Sequence, residues 1–318
     1  MKPIEIHERL RPFSHTPGIK CLIPSTCHQV QVFPTLVRLE NQDIPLEAKG
    51  PLHNFTVVQD LERCCVTVFS EAYHFHILPN LQIVESKHPH SPFYQTARYS
   101  FGRHKKLQWE RLRHSCDFAQ LFPIWLRLGM LLTLPTCHID STGMFSLLAE
   151  CEHEIAAHRP ELILPAFHRL FLAGFGGMMV PRNQDEEYQG ILSSQEGCSK
   201  TSALYLLTQG AELIRSLFLR SCGQELVILP HLPPELFAGR IVAERFDFGT
   251  LDMIWSKKQL KALSLHTSQS GELHLHFPAH LHSFRLKRFK QDRGRRVVCG
   301  TPLAIEANEH YVLDCFEK

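Results

Sequence analysis

The chain carries no strong excess of either charge. Its 34 Lys and Arg stand against 32 Asp and Glu over 318 residues, a formal net charge of +2. That balance sets up no global field for holding nucleic acid or an anionic membrane, so neither is expected as a partner. Long apolar runs are also missing. The best, residues 121–134, holds Pro123 and Arg127, whereas a membrane span needs about 20 apolar residues. A buried helix is expected there instead. At the start, Pro3, Glu5 and Glu8 occupy the stretch where a secretion signal places its apolar core. The 11 cysteines contain no C-x-x-C and follow no regular spacing, which argues against a zinc ribbon and a disulfide framework. Unpaired thiols in odd number suit a reducing compartment, and a cytoplasmic location is expected. There is no G-x-S-x-G, no Walker loop and no G-x-G-x-x-G, so the common nucleophile and nucleotide signatures are absent. The run Gly174-Phe175-Gly176-Gly177 follows a helical pattern and reads as a helix stop. No cofactor is expected.

What is present is a folding composition, 44% hydrophobic and 21% charged, arranged in three zones. In 1–103, short runs rich in Val, Ile, Phe and Thr favour strands: Gln29–Phe33, Leu36–Glu40, Phe55–Gln59, Cys64–Ser70, His74–Leu78 and Leu81–Glu85. Turn formers separate them, among them Asn41-Gln42-Asp43 and Pro79-Asn80. In 104–223 the period turns helical. Residues 105–118 and 123–132 read as one broken stretch. Phe145, Leu148, Glu152 and Ile155 mark a helix capped by Asp140-Ser141, and Pro160 suits the first turn of the next. Leu204, Leu207, Ala211, Ile214 and Phe218 fall at steps of three and four, one apolar stripe over 202–220. A polar loop, 182–201, interrupts this zone. In 224–318 strands return, from Leu226–Leu229 through Arg240–Phe248, Leu251–Trp255 and Leu260–His266 to Tyr311–Phe316. The expected fold class is α+β, two β-sandwich-like domains flanking a short helical region.

The richest segment is Val227 to Trp255, VILPHLPPELFAGRIVAERFDFGTLDMIW. An apolar strand stops at Pro230, prolines 233 and 234 carry the chain across, and Gly239 opens a strand pair that turns at Gly249-Thr250 and ends at Trp255. This succession resembles the approach to the C-terminal β-domain of glycoside hydrolases built on a six-hairpin α/α barrel, families 65 and 95. The resemblance covers about the last third of the chain. Its β–α–β order matches, but the barrel needs twelve helices and the helical zone has room for four or five at typical length. No acid or base of those enzymes matches a position here.

Candidate chemistry comes from two residue classes. Among the 21 histidines, His153 and His158 stand five apart, one too many for the one-faced H-E-x-x-H helix. His274 and His276 would share a strand face, with His280 and His282 able to oppose them in a four-histidine cluster. No carboxylate follows at cupin spacing, and a polar sheet face is the plainer reading, so no metal is assigned. The densest polar cluster is Arg182 to Gly190. Arg182, Gln184 and Tyr188 are candidate ligand-binding residues for sugar hydroxyls. Asp185 and Glu187, with Glu152 (and its neighbour Glu150) on the preceding helix, are candidate catalytic carboxylates, since glycoside hydrolysis uses a carboxyl pair. A surface loop is the plainer reading of the same residues, and Trp109 and Trp125 read as core. Three functions stay open: a glycoside-hydrolase-like carbohydrate-active or carbohydrate-binding protein with a reduced, non-catalytic core; a structural or protein-interaction protein; and a small active glycosidase.

Overall fold

The computed structural model describes residues 3–40, 42–49, 51–85, 97–102, 106–136, 142–185, 201–288 and 292–318. The first nine strands are β1 (Phe13–Ser14), β2 (Ile19–Leu22), β3 (Gln29–Phe33), β4 (Leu36–Leu39), β5 (Gln42–Pro45), β6 (Thr56–Asp60), β7 (Cys65–Phe69), β8 (His74–Ile77) and β9 (Ile83–Val84). They form two antiparallel sheets, β1-β6-β7-β8-β9 and β2-β3-β4-β5. Alternation explains the packing. Val30 and Val32 on β3 and Val37 and Leu39 on β4 face the same core as Val57, Val66 and Val68. The buried Gln59 amide ties the sheets by donating to the Leu22 carbonyl at 2.8 Å. Of the expected turn Asn41-Gln42-Asp43, Asn41 lies outside the described residues, while Gln42 and Asp43 are on a strand: Leu39 pairs with Gln42, and Arg38 grips Asp43 at 2.7 and 3.0 Å.

After β10 (Arg98–Phe101) come α1 (Trp109–Ser115), α2 (Phe118–Met130), α3 (Met144–Ala156), α4 (Pro160–Gly174) and α5 (Leu204–Phe218), with the small hairpin β11 (Phe175–Gly176) and β12 (Val180–Pro181) after α4. The break expected at Pro123 falls earlier. Cys116 adopts φ 46, and the Asp117 side chain then caps α2 by accepting the Ala119 N–H at 3.1 Å. Pro123 sits inside α2, which is almost wholly buried. The expected cap at Asp140-Ser141 lies outside the described residues. Helices α2 and α5 pack closely, and the buried Trp125 indole N–H donates to the Leu207 carbonyl at 3.0 Å. Trp109 is likewise core. No described helix is long and apolar enough to cross a membrane.

Helix α5 does run straight into a strand, but at Leu219, where the backbone turns extended. Strand β13 (Leu219–Cys222) pairs with β14 (Glu225–Ile228). The remainder is β15 (Gly239–Phe246), β16 (Gly249–Ser256), β17 (Gln259–Thr267), β18 (Gly271–His276), β19 (Ser283–Lys287), β20 (Arg295–Val298), β21 (Leu303–Ile305) and β22 (His310–Glu317). A seven-stranded sheet, β10-β15-β16-β17-β22-β19-β20, and a four-stranded sheet, β13-β14-β18-β21, contribute their apolar faces to one core. The fold is thus α+β, with β-rich parts at both ends of a helical middle. The edge strand β10 comes from the first 103 residues and pairs with β15, so the first and last zones are joined by a ladder. The Gly239–Trp255 pairing has a steric basis: a Cβ on Gly239 would lie 2.4 Å from the Trp255 ring, which is buried and donates to the Leu236 carbonyl at 2.9 Å.

Candidate functional site

Strands β15 and β16 lose register between Ile241 and Glu244. At this bulge Ala243 takes φ 56, a left-handed conformation rare for a residue with a side chain. Two interactions hold it. The Ala243 N–H donates to Asp252 Oδ1 at 2.8 Å. Glu244 turns inward, 1% exposed, and accepts from Arg215 Nε of α5 at 2.6 Å and from the Tyr99 hydroxyl of β10. Burial, then the neighbouring Glu244, pushes the Tyr99 phenol well above its ordinary pKa. Arg215 also donates to the Arg245 carbonyl at 2.6 Å. The bulge therefore throws Val242, Ala243 and Arg245 outward against a rigid backing.

Those three residues line a cavity of about 820 Å³. The N-terminal segment contributes His7, Arg9 and Arg11; the β6–β7 turn Glu62 and Arg63; β10 Arg98; α2 Arg127; and β16 and β17 Thr250, Asp252 and His266. Asp60 shapes the turn. Its Oδ1 accepts the N–H groups of Glu62 (3.2 Å) and Arg63 (3.0 Å), while Oδ2 lies 2.9 Å from Arg11 Nε, an ion pair without hydrogen-bond alignment. Arg98 donates to the Glu8 carbonyl at 3.0 Å. His266 stands 3.5 Å from Asp252 Oδ2 and stacks on His310 at 4.3 Å. Burial, with His266 alongside, lowers the His310 pKa.

Six guanidinium groups thus meet two lining carboxylates. Arg127 is the most buried lining residue, at 4% exposure. No described carboxylate pairs with it; its Nε reaches the Leu61 carbonyl at 3.4 Å, and its Nη1 is buried without a partner. A position in the last turn of α2 offers about 0.3–1 kcal/mol from the helix dipole. Burying an ion costs several kcal/mol, and arginine cannot escape by losing its proton.

The sequence candidates lie elsewhere. Arg182 is half-committed to α4: it donates to the Ala173 carbonyl at 2.8 Å and to the Leu172 carbonyl at 2.9 Å, and pairs with Asp185 Oδ1 at 2.9 Å. Asp185 is 8% exposed at its side chain, so this part of the loop is built into the fold. Gln184 and Glu152 are exposed, and Glu150 pairs with Arg169. Glu187 and Tyr188 lie outside the described residues. Neither Arg182, Gln184, Asp185 nor Glu152 lines the arginine cavity. The four histidines separate as well. His276 pairs with Glu225, and His274 lies 3.5 Å from Glu272. His280 instead lines a cavity with His158 and His231, and the His282 backbone N–H donates to Glu317. Among the described residues no group of three or more His, Cys, Asp or Glu could hold a metal ion.

The cavity was not legible as a motif because its arginines run from position 9 to 245 and no two adjoin. One signal was there: Arg127, the one charged residue in a largely apolar helix. No family model and no curated protein matches the chain.

Proposed function

We propose that the protein is a carbohydrate-active or carbohydrate-binding protein of glycoside-hydrolase type with a reduced core, and that its ligand is anionic and occupies the arginine cavity. The single observation that carries the anionic part is Arg127, a buried guanidinium without a carboxylate among the described residues, lining an 820 Å³ space. The carbohydrate part rests on the Val227–Trp255 succession. Thr250, Asp252, His266 and Glu62 at the same cavity are of the kind that meets hydroxyl groups. A thermal-shift screen of neutral against acidic or phosphorylated monosaccharides tests it. Acidic sugars should raise Tm and neutral ones should not, with the response lost in Arg127→Met. Equal responses to both sets, or responses that survive the substitution, would overturn the reading.

The small active glycosidase is the second reading, since the cavity holds two carboxylates, Glu62 and Asp252. Glu62→Gln or Asp252→Asn should then abolish turnover of a sugar substrate while binding persists. Asp252 also anchors the bulge, so a matched circular dichroism spectrum is the control.

A further inference from the structure

We infer that the charged group this cavity takes is a phosphoryl group, carried on an organic body as a phosphate monoester. The inference rests on the reading of the cavity as an anion site and narrows it to one chemistry. Charge is the first argument. With Asp60 counted alongside Glu62 and Asp252, three carboxylates face six guanidinium groups, an excess of three positive charges. One carboxylate ligand would leave two uncompensated. A phosphate monoester brings about −1.5 to −2 near neutral pH.

Geometry is the second argument. A carboxylate is planar and is satisfied by one arginine fork. Here the guanidinium groups come from separate elements: Arg11 from the N-terminal segment, Arg63 from the β6–β7 turn, Arg98 from β10, Arg127 from α2 and Arg245 from the β15 bulge. Donors from several elements suit the three divergent oxygens of a tetrahedral phosphoryl group. Size is the third. A cavity of about 820 Å³ is far larger than one inorganic anion requires and falls in the range of sites for small organic ligands. The Asp252–His266 side of the cavity, already in a mutual contact at 3.5 Å, would face the uncharged body.

Isothermal titration calorimetry on the full chain at fixed salt tests this, with glucose 6-phosphate, glucuronate, inorganic phosphate, glucose and a single-stranded oligonucleotide as probes. Glucose 6-phosphate should bind about tenfold or more tightly than glucuronate, and glucose should not bind. Its affinity should rise between pH 5.5 and 7.5 as the second phosphate proton, of pKa about 6, is lost. Arg127→Met should weaken binding at least about tenfold. If that variant does not fold, the half-exposed Arg63→Ser decides in its place, with loss of affinity in the same direction. Glucuronate binding as tightly as glucose 6-phosphate would overturn the phosphoryl assignment and leave the anion site standing. Inorganic phosphate matching the sugar phosphate would overturn the organic body. Tighter, steeply salt-dependent capture of the oligonucleotide would overturn the small-molecule assignment. Failure of every anion would remove both this inference and the site beneath it.

Discussion

Gly210→Ala sets two physical effects against each other at the α2–α5 seam, and the structure decides the sign. Helix propensity alone favours the alanine by about 0.8–1.0 kcal/mol. A Cβ at position 210 would, however, lie 2.5 Å from Trp125 Cζ2 and 2.8 Å from its Cε2 and Nε1. The indole has little room to yield. It is fully buried, donates to Leu207 on the same helix as Gly210, and is flanked by Phe175 at 4.5 Å and Phe167 at 5.9 Å between ring centroids. Overpacking of this kind costs about 1–3 kcal/mol, and displacing the indole forfeits about 1 kcal/mol more from its hydrogen bond. The net expectation is a loss of about 1–3 kcal/mol, with each kcal/mol lowering Tm by roughly 2–4 °C in a domain of 150–250 residues. Urea unfolding followed by far-UV circular dichroism measures it, with exposed Gln209→Ala on the same helix as a control expected within about 0.5 kcal/mol. Adding Trp125→Phe should relieve part of the clash, so the double variant should cost less than the two singles combined. A Gly210→Ala protein more stable than the parent would refute the packing argument outright.

Asp185→Asn should destabilise by about 1–3 kcal/mol, because the substitution strips a charged partner from the buried Arg182 contact. A loss under about 0.5 kcal/mol, normal for an exposed loop, would show that the contact is not formed in solution. His231 is 5% exposed, and burial, then His158 and Arg220, lowers its pKa to about 4. Because the fold holds the uncharged ring, the unfolded chain takes up this proton first. Stability is therefore full above the unfolded value near 6.5 and is lost as pH falls toward 4, by about 2 kcal/mol at pH 5. Comparing urea midpoints at pH 7.5 and 5 for the parent and His231→Gln isolates this share; identical pH responses would contradict it. All nine described cysteines are free. Native protein should label quickly at exposed Cys27, Cys222 and Cys315 and slowly at buried Cys21, whose thiol burial pushes up to about 12. Fast labelling of Cys21, read by peptide mass, would show that its sheet opens readily.

The later strands were readable because their signals are local. Glu272 to His276 alternates, Gly249 and Ser270-Gly271 mark turns, and the ladder partners of β15, β16 and β17 follow within a few residues. The α5 stripe was readable for the same reason, up to Phe218; at Leu219 the backbone turns extended and β13 begins. Strand β10 escaped notice because four residues, RYSF, carry little pattern and their partner is distant. The cavity escaped for a related reason. Arg9, Arg63, Arg98 and Arg245 look like ordinary solvated charges one at a time, and only the fold brings their four elements to one cavity. The polar cluster at 182–190 was legible as composition, but the ties of its Arg182 and Asp185 to each other and to the end of α4 are not readable from residue type.

The pairing of Arg98–Phe101 with Gly239–Val242 also has a history in time. A ribosome delivers β10 about 140 residues before the strand it completes, an interval of roughly 7–30 s at 5–20 residues per second. Throughout that interval Tyr99 and Phe101, both buried in the finished protein, have no sheet to enter. The nascent chain then carries an adhesive strand that must be shielded until β15 emerges. A truncated message ending before residue 239 would leave it so permanently, and such fragments should be chaperone-bound or insoluble even though every residue of the first two sheets is present.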